Sequence, residues 1–147
     1  MDYLYRYDRK HSYVYALVDP RDGSPRYIGY TDANPQFRLG RHYGETWGED
    51  SKKEVNLKQR WIRGLESVGT GVGVVTIFEG ASAEARDIES ALINKYWNWI
   101  TNGGVGKDDT NIDGTIRKKA LRVFRSRFPN MKTYKTLRKS YPGLIID

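Results

Sequence analysis

At 147 residues the chain has the length of one ordinary domain, or one compact domain with a small appendage. Hydrophobic residues make up 38% and aromatics 13%, too much for a disordered chain, and no apolar run is long enough to span a bilayer. There are no cysteines and only two histidines, His11 and His42. That excludes disulfides, thiolate nucleophiles and any cysteine- or multi-histidine-ligated metal, leaving a hard cation held by carboxylate and water as the one metal chemistry in reach. The opening stretch, MDYLYRYDRKH, has no apolar segment and does not read as a secretion signal.

The net charge of +7 is unevenly placed. Residues 1–106 carry 14 Lys and Arg against 14 Asp and Glu, whereas residues 107–147 carry 11 basic against 4 acidic side chains. A neutral body with a basic tail predicts a polyanionic partner, with nucleic acid favoured over a merely solubilising surface.

In chain order, Tyr13 to Val18 is β-branched and aromatic, Asp19-Pro20-Arg21-Asp22-Gly23 is turn chemistry, and Arg26 to Tyr30 is a second short strand. The pair predicts a hairpin. Asn34-Pro35 predicts an N-cap followed by proline at the first helical position, opening a helix to about Tyr43. Gly40 inside that helix suggests that something approaches its backbone closely. Ser51 to Glu54 fits a capping box, and Leu57, Trp61, Ile62 and Leu65 follow at helical spacing, with Lys58, Arg60 and Arg63 assigned to other faces. Val74 to Phe78 is nearly continuous and apolar and predicts a central strand. Ser82 is placed to cap a third helix to about Trp97, whose inward stripe is Ala85, Ile88, Leu92, Ile93 and Tyr96. Glu89 falls within that stripe, where a carboxylate is costly without compensation, which marks it as a functional candidate.

The order β-β-α-α-β-α predicts an α+β fold, a small three-stranded antiparallel sheet flanked by helices. Residues 1–106 form this unit, and residues 107–147 form a linker and a basic helical extension. In the extension Ile116, Ala120, Phe124 and Phe128 recur every four residues, and Arg117, Lys118, Arg122 and Arg125 lie on other faces. Pro129 ends that helix, and a shorter segment with Met131, Tyr134 and Leu137 carries Lys132, Lys135 and Arg138 between them. These seven basic residues are the candidate DNA contacts, directed mainly at phosphate. The alternative is a helix folded back onto the body with its charges solvated.

Tyr13-Val14-Tyr15 followed by Tyr27-Ile28-Gly29 resembles the signature of the GIY-YIG nucleases, the first triplet degenerate and the second intact. Arg38 and His42 on the next helix, Glu89 on the third and an asparagine after it follow in the order that family's active site requires. The resemblance spans Tyr13 to about Gly106. It implies a metal-dependent endonuclease that hydrolyses DNA phosphodiester bonds, of homing or phage type. Its catalytic set would be Tyr15, Tyr27, Arg38, His42, Glu89 and Asn102, with Asn98 the competitor for the last place. Glu89 would hold Mg2+ or Mn2+, Arg38 would grip phosphate, His42 would donate to phosphate or share the base role, and a tyrosine would be the general base, Tyr15 preferred over Tyr27. Tyr13 replaces the leading glycine, and Tyr30 stands where many relatives carry a lysine, leaving one basic group short. The implied setting is the cytoplasm of a bacterial or phage-infected cell. The expected partner is DNA, with no membrane and no organic cofactor, the protein acting as a monomer or a transient dimer on DNA. The rival readings are a nucleic-acid-binding module on the same fold that does not cut, and an interaction domain whose basic tail binds an acidic protein.

Overall fold

A computed structural model describes residues 11–47, 57–102 and 112–130. Three strands, β1 (His11–Val18), β2 (Pro25–Thr31) and β3 (Gly73–Ala81), form one antiparallel sheet in the order β2-β1-β3. Four α-helices are described with it: α1 (Pro35–Trp47), α2 (Leu57–Ser67), α3 (Ser82–Tyr96) and α4 (Gly114–Arg127). A 3-10 turn, Trp97–Trp99, follows α3. The fold is mixed α+β, as the pattern of elements predicts. Ser51 to Glu54, residues 107–111 and everything after Asn130 lie outside the described residues, and with them Lys132, Lys135 and Arg138.

The β1–β2 hairpin forms because its connecting turn is locally self-sufficient. Asp19 N–H donates to the Ser24 carbonyl at 2.8 Å, Gly23 N–H donates back to Asp19 at 2.7 Å, and Gly23 takes a φ of +73° that favours glycine. Asp19 is 1% exposed and accepts from Arg21 N–H, the Arg21 guanidinium and Trp61 Nε1–H. The Asp19 hairpin turn is thereby tied to α2.

Alternation along β1 sorts the core into two halves. Val14 and Ala16 face α3 and α4 with Ile28, Ile77, Ile88, Leu92 and Phe124, while Tyr15 and Leu17 face α1 and α2 with Trp61, Ile62 and Leu65. The helices therefore cover both faces of the sheet. That explains why Val74 to Phe78 is nearly continuously apolar, although β3 is an edge strand and not the central one the run suggests. β3 also carries an extra residue opposite the Val14–Tyr15 step, where its register shifts.

Of the three helices whose preceding residues are described, two start by local chemistry. Asn34 Oδ1 accepts from Gln36 N–H at 2.9 Å, with Pro35 first in α1, and Asp113 Oδ1 accepts from Thr115 N–H at 2.7 Å to cap α4. Ser82 does not cap α3. The cap position is Ala81, without a side-chain bond, and Ser82 Oγ lies 2.5 Å from Ser12 Oγ. Among the described residues Gly40 has no neighbour within 4 Å of where a side chain would start.

The basic helix is packed onto the body. Ala120, Phe124 and Phe128 are buried in the same core as Ile88 and Leu92, and the Phe124 ring stacks on Tyr96 at 4.6 Å and 23°. Arg117, Lys118, Arg122 and Arg125 remain exposed on the outer side of α4.

Candidate active site

The site grows from a crossing of β1 and β2. Tyr15 and Gly29 are partners across the hairpin, and the Tyr15 ring lies over the glycine. Its side chain is fully buried, and burial pushes the phenol above its ordinary pKa. The neighbouring Tyr27 and Glu89 push it further up, while the charge and hydrogen bond of Arg38 pull the other way and lose. Side chains from three other elements thus influence the charge of this phenol: Tyr27 from β2, Arg38 from α1 and Glu89 from α3.

His42 completes the group. It follows Arg38 by one helical turn, so both project to the same side of α1. Its Nε2 is 2.6 Å from the Tyr15 hydroxyl, and its ring meets Tyr27 edge-on at 4.9 Å between centroids. The imidazole is 0% exposed, a polar ring in an aromatic setting with both nitrogens engaged. Tyr15 and Tyr27 stand 6.3 Å apart between ring centroids. Tyr15, Tyr27, Arg38, His42 and Glu89 are therefore brought together. Glu89 is partly exposed rather than enclosed in the core, a position in which a carboxylate keeps its charge at lower cost.

Asn102 has a different place. Its Oδ1 accepts from Ile28 N–H at 3.0 Å and its Nδ2–H donates to Ile28 O at 2.7 Å. Thr101 N–H donates to Arg26 O at 2.5 Å, and the buried Arg26 guanidinium donates to Trp99 O at 3.0 Å. The amide of Asn102 thus imitates a pairing strand along the outer edge of β2, next to Tyr27 and Gly29. It supports the site through the backbone. The side chain of Asn98 lies outside the described atoms.

Lys58 belongs to the candidate site as well, although it is expected on a face of α2 other than the apolar stripe. It is 7% exposed, its Nζ is 2.9 Å from His42 Nδ1, and it rests 5.2 Å over the Tyr27 ring. The signal was in the spacing: Lys58 precedes Trp61, Ile62 and Leu65 by three, four and seven, which puts it on the buried stripe. Tyr30, at the expected lysine position, is engaged elsewhere. Its hydroxyl donates to Asp32 at 2.6 Å, and Ser12 Oγ lies 2.9 Å from it, linking β1 to the start of α3 through Ser82.

Among the described residues no group of three or more His, Cys, Asp or Glu comes together, and no helix is long and apolar enough to cross a membrane. A hard divalent ion fits this donor set if Glu89 supplies one ligand and water or phosphate oxygens the rest. No family model, curated protein or solved structure matches the chain.

Proposed function

We propose that the protein is a metal-dependent endonuclease that hydrolyses DNA phosphodiester bonds. The observation that carries this reading is the Tyr15 oxygen, held between the Arg38 guanidinium and His42, with the Glu89 charge felt at the same point. One cation, a hydrogen-bonding imidazole and one carboxylate around a phenol suit an anionic, oxygen-rich substrate. Arg38 offers planar paired donors to nonbridging phosphate oxygens, and Lys58 adds positive charge behind His42. In the reaction, water attacks phosphorus, an O–P bond forms and the P–O ester bond breaks. Tyr15 takes the water's proton, which requires it to be ionised when substrate is bound. Glu89 would hold Mg2+ or Mn2+, which supplies charge neutralisation at the phosphate and at the leaving oxygen. The exposed basic side of α4 would hold duplex DNA through its phosphates, and the compartment would be the cytoplasm of a bacterial or phage-infected cell.

A second reading, a nucleic-acid-binding module that does not cut, is favoured by one observation. Burial holds the Tyr15 phenol protonated, so the protein without substrate has no ready base. Cleavage of supercoiled plasmid with magnesium or manganese separates the two. The wild type should nick it, with Glu89→Ala and Tyr15→Phe each slower by about 10²-fold or more. Activity surviving Glu89→Ala would remove that residue from the site, and salt-sensitive binding without cleavage would establish the second reading.

A further inference from the structure

We propose that Lys58 is a positioning residue that fixes the tautomer of His42, so that Nε2–H donates to the Tyr15 oxygen and the imidazole is barred from serving as the base. The tautomer is a property of the folded chain. Its catalytic consequence rests on the nuclease reading above.

The argument follows from donors and acceptors. A lysine ammonium has three donors and no acceptor, so at 2.9 Å from Nδ1 it can only donate, and Nδ1 must be the bare nitrogen. A neutral imidazole carries one hydrogen, which then sits on Nε2. Nε2 is 2.6 Å from the Tyr15 hydroxyl, so His42 gives this bond and the phenol oxygen receives it. Arg38 also has only donors, and it bonds to the same hydroxyl. Two donors aimed at one phenol oxygen favour its negative form and turn any hydrogen it carries away from His42.

The same geometry keeps His42 from taking a proton. Protonation at Nδ1 would break the Lys58 bond and set two cations 2.9 Å apart in a buried place. Tyr15 from β1, Tyr27 from β2 and Lys58 from α2 all contact the ring. Tyr27, edge-on to the imidazole, and Lys58, over the Tyr27 ring, also resist a ring flip that would exchange the two nitrogens. The proton released in the reaction therefore goes to Tyr15 and not to His42.

The test is nitrogen NMR of the full chain, which holds only two histidines. Long-range proton–nitrogen correlations at neutral pH distinguish the tautomers, and His11→Gln assigns the exposed ring. Wild type and Lys58→Arg, whose guanidinium is also donor-only, should show His42 as Nε2–H. Lys58→Met should lose that pattern and populate Nδ1–H, with plasmid nicking down about 10²-fold. Lys58→Arg should keep nicking within about tenfold of wild type. An Nδ1–H or doubly protonated His42 in the wild type, or an unchanged tautomer in a folded Lys58→Met, would overturn the proposal. If Lys58→Met does not fold, the wild-type and Lys58→Arg spectra still decide. The expected spectra with no cleavage in any divalent ion would uphold the tautomer and defeat the nuclease reading alone.

Discussion

Tyr15 and Gly29 share one small space: a methyl group at position 29 would lie 2.4 Å from the Tyr15 ring. The glycine is needed for close approach and not for backbone freedom, since its φ is not positive. The phenol crosses the hairpin over it and reaches His42 on the far helix.

Gly29→Ala should therefore displace the phenol and lengthen the contact to His42. We expect a loss of about 1–3 kcal/mol in unfolding free energy from overpacking. Plasmid nicking should fall by about 10²-fold, since an ångström of misplacement has that effect on a positioned group. Denaturant unfolding alongside nicking rates measures both. A folded Gly29→Ala with wild-type rate would show that the crossing is not required.

Asn102→Ala removes both bonds to the Ile28 backbone and leaves the outer edge of β2 unpaired there. The expected loss is about 1–3 kcal/mol of stability. Because Asn102 acts through the strand, cleavage per folded molecule should fall less than in Tyr15→Phe. Hydrogen exchange at Ile28 N–H should speed up. An Asn102→Ala protein with full stability and no cleavage would instead place the amide in the chemistry.

The raised pKa of Tyr15 has a defined sign in stability. An unfolded tyrosine ionises near 10.0, while the folded phenol keeps its proton to higher pH. Above that pH the unfolded chain binds fewer protons than the native one, so the stability present below pH 10.0 is lost as pH rises. The wild type should lose up to about 1.4 kcal/mol per pH unit beyond what Tyr15→Phe loses. Unfolding of the two proteins compared between neutral and strongly alkaline pH isolates this residue from the other ten tyrosines.

Arg122 and Arg125 are exposed on α4, so replacing both with alanine should leave the melting temperature nearly unchanged. Duplex binding should weaken, and the slope of log affinity against log salt should drop by about one for each lost phosphate contact. Anisotropy titrations over a salt series read this directly. Unchanged affinity and slope would take α4 out of the DNA-binding surface.

Much of the fold is legible in local signals, and the exceptions have physical reasons. The Asp19 to Gly23 turn and the alternation around Tyr15 announce the hairpin, and every residue of the inward stripe of α3 is buried. Spatial strand order is not local, so an apolar run covered on both faces looks central even at an edge. Lys58 escaped because hydropathy counts a lysine as a surface residue, whereas a buried ammonium becomes intelligible only with His42 beside it. Asn102 in Asn-Gly-Gly has the composition of an ordinary turn, and its pairing with Ile28, 74 positions away, leaves no trace in the sequence around it. Tyr15, Tyr27, Arg38, His42 and Glu89 stand out as a candidate set only through their order along the chain. Taken singly, each reads as an ordinary core or surface residue.

The stack of Phe124 on Tyr96 makes α3 a common beam. One stretch of this helix bears Glu89, and its far end is the seat of the basic helix. The carboxylate of the proposed site and the seat of the basic helix thus share the same fifteen-residue rod. A shortened chain ending before Gly114 would be a protein with an apolar wound where Ala120, Phe124 and Phe128 had been, prone to self-association before it is tested for anything. Any variant made to test the proposed function therefore has to leave this rod whole.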